Sequence, residues 1–290
     1  MKIMITGSEG YIGRVVYHNI KNYLRDINIT CVDFDSTIKP RVDLIQDDIC
    51  NITNKRYDVL IHLAAAASTT EGEEISHYYY NNNCSKYHEL LKSNEFKSVI
   101  YASSYAIYDD NGEINPQMVY GDTKLVGEYI TKRYTDNHTI LRFANPVGAY
   151  EYHREIINKL TSGYPNVFWS MARAEVFNDI FHIHNLPGMM RSFYPVDWIL
   201  TAIVKSIENS IFGTYNIAPI TDIEVIPFLI TLCNKHHIKY DMINPPVGVT
   251  IGGKVNNIRY HPSIESNQKQ LDSEHILKLF DNYISILSDV

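Results

Sequence analysis

The sequence predicts an α/β fold, a doubly wound parallel sheet with a smaller mixed α/β C-terminal domain. Three observations predict it. A short apolar run, Ile3-Met4-Ile5, leads into a glycine turn and then a helix-forming segment. Through the first half, strand-like and helix-like segments alternate, the pattern of a parallel sheet covered by helices on both faces. From Asn145-Pro146-Val147-Gly148 onward the alternation breaks up, with prolines and glycines between short mixed segments.

The first strand candidate is Lys2 to Thr6, and it opens Thr6-Gly7-Ser8-Glu9-Gly10-Tyr11-Ile12-Gly13. A helix is expected from Ile12 to Tyr23. Gly7 allows a tight turn off the strand, Gly10 lets the backbone approach a pyrophosphate, and Gly13 lets the helix pack closely on the sheet. The helix N-terminus offers unpaired N–H groups and partial positive charge to phosphates. The second strand, Ile29 to Asp33, ends in an acid twenty positions after Gly13. Strand, turn, helix and acid together predict a dinucleotide-binding unit of Rossmann type. A carboxylate at Asp33 accepts both ribose hydroxyls and repels a 2′-phosphate, so NAD is expected rather than NADP.

Ligands of such sheets sit at the carboxyl ends of the strands. Between the second strand and Val59 lies a loop, Asp47-Asp48-Ile49. The strand Val59 to Leu63 runs into Ala64-Ala65-Ala66-Ala67, small residues that suit either a close cofactor or close strand–helix packing. A helix is expected over Tyr78 to Ser93, then a strand over Ser98 to Ala102 that runs into Ser103-Ser104-Tyr105. The next helix spans Gly121 to Thr135, and the next strand Thr139 to Phe143. Tyr120 and Lys124 are four apart and share a helical face. A phenol titrates near 10, too high for a base at neutral pH. A neighbouring ammonium and a positive nicotinamide ring would lower that value, letting Tyr120 take a proton as hydride leaves the same carbon.

In the second half, a helix is expected from Pro195-Val196-Asp197-Trp198 through Asn209, a strand over Gly213 to Ala218, and helices over Glu224 to His236 and Ser273 to Leu287. Residues 1–149 with about 192–218 are expected to form the nucleotide domain. Residues 150–191 with 219–290 are expected to form the substrate domain. The 290 residues are 45% apolar and 20% charged, the composition of a globular protein with a sizeable core. A net charge of −7 argues against a nucleic-acid partner, and the apolar runs are too short to span a membrane. Cys31, Cys50, Cys84 and Cys233 lie far apart, as free thiols in a reducing cytoplasm would. The nucleotide fold starts at the N-terminus, so no signal peptide and a cytoplasmic location are expected. His182, His184 and the pair His236-His237 lack a matching Cys or carboxylate cluster, so no metal is expected.

The combination of Thr6-Gly7-x-x-Gly10-x-x-Gly13, Ser104 and Tyr120-x-x-x-Lys124 resembles the extended short-chain dehydrogenase/reductases, in their NAD-dependent nucleotide-sugar epimerase and dehydratase branch. The resemblance runs from Met1 to about Ala218. It implies that Gly7, Gly10, Tyr11, Ile12 and Gly13 hold the cofactor, with Asp48-Ile49 at the adenine. It also implies cofactor contacts from Leu63, Ala64, Ala65, Asn83, Tyr120 and Lys124. Leu141-Arg142-Phe143-Ala144-Asn145-Pro146-Val147-Gly148 and Val176-Phe177-Asn178-Asp179 look most like the UDP-glucose 4-epimerases. The mechanism implied is epimerisation at C4 of a UDP-sugar, with Tyr120, Ser104 and Lys124 catalytic. Ser104 is preferred to Ser103 because it stands four residues before Tyr108, as in the family. Asn145 and Arg191 are the implied substrate contacts, with Lys254 as a point charge in place of the family's second diphosphate Arg, which is missing here. The 4,6-dehydratases carry Asp and Glu directly after the catalytic Thr; Tyr105 and Ala106 stand here, which disfavours dehydration. A dehydrogenase or 4-keto reductase of the same family, and a non-catalytic NAD-binding protein, are the alternative readings. A homodimer through the helix following Tyr120 is implied by the same resemblance. Lys86-Tyr87 departs from the family, which has Gly-Thr there.

Overall fold

The structure, a computed structural model, describes residues 1–34, 42–68, 71–153, 167–245, 252, 255, 259–264, 271 and 273–288. Seven strands form one parallel sheet: β1 (Lys2–Thr6), β2 (Asn28–Asp33), β3 (Leu44–Gln46), β4 (Arg56–His62), β5 (Glu95–Ser104), β6 (His138–Phe143) and β7 (Gly213–Ile217). Their order is β7-β6-β5-β4-β1-β2-β3. The order reverses beside β1, which pairs with β2 on one edge and β4 on the other. That reversal opens a crevice at the carboxyl ends of the strands.

The apolar runs of the central strands follow from burial on both faces. On one face Ile3, Ile5, Ile61, Ile100 and Leu141 pack with α1 (Tyr11–Asn19) and the helix Asp197–Asn209. On the other, Met4, Leu60, Val99 and Ile140 meet Tyr87, Leu90 and Leu91 of α2 (Lys86–Ser93). A separate core lies in the second half. There Phe168 and Trp169 of the helix Val167–Val176 pack with Phe228, Phe280 and Tyr283. Short strand pairs frame it, among them Met190–Arg191 against Ile223–Glu224.

The expected helix over Tyr78 to Ser93 is broken in three: Ser76–Tyr80, a π-helical turn Asn81–Ser85, then α2. The extra residue of a π turn changes which side chains face inward, and here it buries Asn83 and Cys84. β5 runs longer than its apolar centre, because its first residues, Glu95 and Lys97, are exposed at the sheet's far end. The helix carrying Tyr120 is α3 (Val119–Tyr134). Among the described residues no helix is long and apolar enough to cross a membrane.

Candidate active site

Two cavities lie along the crevice. The first, about 330 Å³, is lined by Gly7, Gly10, Asp33, Asp48, Ile49 and Ala64, among others. Leu63 and Ala65 line it too. Gly7 has φ +68°, and a Cβ there would lie 2.6 Å from the Ala64 backbone nitrogen. The small residue after β4 therefore receives the turn itself. A Cβ on Gly13 would lie 2.0 Å from the Gly7 carbonyl oxygen. Gly13 thus packs against the turn, where the sequence suggested packing on the sheet. A Cβ on Gly10 would meet only the Gly7 carbonyl, at 3.4 Å. Gly10 is the N-cap of α1, and no side chain caps this helix end. Open backbone, uncapped amides and the positive helix end suit a diphosphate. The Asp33 carboxylate accepts a hydrogen bond from the Glu9 amide at 3.0 Å, which aims it into the cavity. The donor set fits a dinucleotide with a free ribose diol.

Sequence reasoning missed Lys86. Its ammonium donates to the Asp48 carboxylate and, at 2.7 Å, to Asn82 Oδ1. Burial would push the Asp48 carboxyl up; the Lys86 bond and the Cys50 amide outweigh it and hold it below the usual range. The departure from Gly at this position was the available signal. Asn83 is buried behind the cavity. Its amide bonds the Ala66 carbonyl and Thr123 Oγ1, each at 3.0 Å, and its carbonyl accepts from the Ala66 amide at 2.8 Å. It holds the loop after β4, whose Ala64, Ala65 and Ala66 line the cavity.

The second cavity, about 420 Å³, brings together Tyr11, Ile12, Ser104, Tyr120, Asn145 and Arg191. Tyr11 is fixed to the second half of the chain: its hydroxyl donates to the Gly148 carbonyl at 2.8 Å. Ser104 ends β5, and its Oγ accepts the Ala106 amide at 3.1 Å. Ser103 points away, donating to Glu128 at 2.6 Å. Lys124 is buried, its Nζ donating to the Ala102 carbonyl at 2.8 Å and lying 5.7 Å from the centre of the Tyr120 ring. Burial pushes the Tyr120 phenol up to about 12, against a hydrogen bond with Ser104 that lowers it. Lys124 itself is pushed down to about 8 by burial. The lowering expected from the sequence requires Lys124 together with a bound nicotinamide ring; in the protein alone, burial is the largest influence on the Tyr120 phenol.

Arg191 donates to the Met190 carbonyl at 2.8 Å. Burial lowers its pKa, while Asp110 and Asp222 act to raise it. The Asp222 carboxylate accepts the Ser192 hydroxyl. Tyr105 also lines this cavity, its phenol oxygen buried without a hydrogen-bond partner among the described residues. Lys254 lies outside the described residues. Among those described, no group of three or more His, Cys, Asp or Glu is placed to hold a metal ion.

Behind Ser103 lies a buried polar network. Arg142 makes two 2.8 Å bonds to the two oxygens of Glu128 and donates at 2.7 Å to the Tyr108 hydroxyl. Tyr108 in turn donates to Asn216 at 2.9 Å.

Comparison with known structures gives matches over nearly the whole chain. UDP-glucuronic acid 4-epimerase from Bacillus cereus, solved with a fluorinated substrate analogue and NAD, aligns with a TM-score of 0.77 at 19% identity, covering 99% of this chain and 100% of that one. UDP-N-acetylglucosamine 4-epimerase from Methanobrevibacter ruminantium aligns at 0.78 with 19% identity, covering 99% and 98%. The dTDP-glucose 4,6-dehydratase DesIV from Streptomyces venezuelae aligns at 0.79 with 13% identity, covering 98% and 97%. At these identities the likeness is one of fold. No curated protein sequence matches the chain. The model of the NAD dependent epimerase/dehydratase family matches residues 3–218. The chain belongs to the NAD dependent epimerase/dehydratase family.

Proposed function

We propose that the protein is an NAD-dependent nucleotide-sugar epimerase acting at C4 of a UDP-sugar. The observation that carries this reading is the meeting of Ser104, Tyr120 and Lys124 at the carboxyl end of β5, beside the cavity of Gly7, Gly10 and Asp33. Tyr120 removes the proton of the sugar 4-hydroxyl and later returns it. Ser104 hydrogen-bonds the same oxygen. Lys124 lies beside the phenol, and its charge together with that of a bound nicotinamide would offset the burial that keeps Tyr120 protonated. Bound NAD supplies the acceptor and donor of the C4 hydride. Asn145 and Arg191 orient the sugar and its diphosphate. The turn amides from Gly7 to Gly13 hold the cofactor diphosphate, Asp33 the ribose, and Asp48 with Ile49 the adenine. Residues 1–149 with about 192–218 form the dinucleotide domain, and about 150–191 with 219–290 the substrate domain.

Tyr105 separates this reading from dehydration. Tyr105 and Ala106 stand where the 4,6-dehydratases carry Asp and Glu, so no carboxylate is there to move a proton at the carbon next to C4, and burial pushes the Tyr105 phenol well up. Incubation with UDP-glucose, UDP-N-acetylglucosamine and UDP-glucuronic acid should give the C4 epimer without net NADH. Steady NADH production would identify a dehydrogenase instead.

Three further outcomes are expected. Asp33→Ser should admit NADP, read as the ratio of NADP to NAD affinity, because the carboxylate facing the 2′-position is gone. Lys124 titrates near 8 in the fold against 10.5 for its ordinary value. Between these values the unfolded chain keeps a proton that the native one releases, so the Lys124 contribution to stability rises with pH. Urea unfolding of wild type and Lys124→Met should show the difference moving in favour of wild type as pH is raised through that window. Finally, we infer a cytoplasmic homodimer through α3, which exposes Val126 at 36% and Tyr129 at 62%. Analytical ultracentrifugation should find twice the chain mass, and Tyr129→Lys should shift the protein toward monomer.

A further inference from the structure

The phosphate-facing turn contains a carboxylate, which at first sight works against it. Glu9 directly precedes Gly10, the N-cap of α1, and lines the same cavity as Asp33. A carboxylate at a helix N-terminus and a bound diphosphate draw on the same positive end of the helix. Glu9 is nevertheless buried, its side chain 3% exposed, and it meets the guanidinium of Arg14, 6% exposed, at 3.1 Å. Ser8 Oγ donates to the other carboxylate oxygen at 3.1 Å. Arg14 also donates through Nε to the Glu9 carbonyl at 3.1 Å and through Nη1 to the Tyr152 carbonyl at 3.0 Å. One guanidinium therefore grips the side chain and the backbone of the turn residue and ties both to the 150–153 segment. The Glu9 amide, held in this way, is the group that aims Asp33.

We propose that Arg14 is a positioning residue that neutralises Glu9 and fixes the turn, so that the turn accepts a dinucleotide diphosphate. The proposal rests on the NAD reading above. Its signature is electrostatic. Without the guanidinium, the buried carboxylate faces the diphosphate with its ion pair to Arg14 lost, and removing one partner of a buried pair is far more disruptive than removing both. Arg14→Met should therefore weaken NAD binding by roughly tenfold or more. The double variant Glu9→Gln/Arg14→Met should recover most of that loss. Glu9→Gln alone should bind NAD at least as tightly as wild type, and Arg14→Lys, which keeps the charge, should stay within a few-fold of it.

The experiment is isothermal titration of NAD into wild type and these four variants, with thermal unfolding as the check of folding. Recovery in the double variant is the expected result. Equal weakening of Arg14→Met and the double variant would show a purely structural role and overturn the proposal, as would a tenfold loss in Glu9→Gln. Should Arg14→Met fail to fold, Glu9→Gln and Arg14→Lys still decide it. Wild type that does not bind NAD overturns the cofactor reading instead, which keeps the two failures apart.

Discussion

Tyr120→Phe is expected to lower epimerase turnover by roughly a hundred- to ten-thousand-fold, the range of a lost general acid–base group. NAD affinity should stay close to wild type. The substitution removes one oxygen from a side chain whose ring remains beside Lys124 and lines the second cavity. Burial holds the phenol near 12, so its role depends on what lowers it in the working complex. The activity of wild type should accordingly rise with pH through the range in which the cofactor-bound phenol ionises, and the residual activity of Tyr120→Phe should lack that rise. Steady-state kinetics across pH, together with NAD titration, measure both. A variant with wild-type turnover would remove Tyr120 from the chemistry.

Arg142→Met is expected to destabilise the protein by about 3–5 kcal/mol, because it strips the partner from a buried carboxylate. Glu128 is 1% exposed and receives two guanidinium bonds and the Ser103 hydroxyl. Lys132 approaches it at 3.7 Å but is 40% exposed and replaces little of that. Burial alone would lower the Arg142 pKa; the bonds to Glu128 outweigh this and hold it up. The double variant Glu128→Leu/Arg142→Met should be closer to wild type than Arg142→Met, since an apolar pair leaves no buried charge. Urea unfolding of the three proteins measures this. Equal losses in the single and double variants would mean that the pair acts through packing. Activity should fall along with stability, because Arg142 also holds Tyr108, a wall of the second cavity.

The sheet was legible because its signals are local. Ile3-Met4-Ile5 before Gly7 marks a strand and turn without reference to any distant residue, and Asp33 marks the end of the next strand. Tyr120 and Lys124 were legible as a pair because helical geometry alone puts them on one face. What the sequence left hidden depends on residues far apart in the chain. Asn83 reads as a polar helix residue until Ala66 and Thr123 are seen on either side of it. Lys86 reads as solvated until the fold brings Asp48 to it. Glu128 and Arg142 lie on a helix and the following strand, and only the packing of α3 on β5 and β6 joins them through Ser103. The burial of the Tyr120 phenol was hidden for the same reason: spacing alone places Lys124 beside it, whereas the desolvation comes from the surrounding fold.

The central claim is that one C4 hydride leaves the sugar and returns to the same carbon. It is tested most directly with UDP-glucose deuterated at C4, incubated with the NAD-loaded enzyme in ordinary water and followed by NMR. The account predicts UDP-galactose that keeps its deuterium at C4, with no net NADH. Product carrying protium at C4, or deuterium accumulating in free NADH, would contradict it.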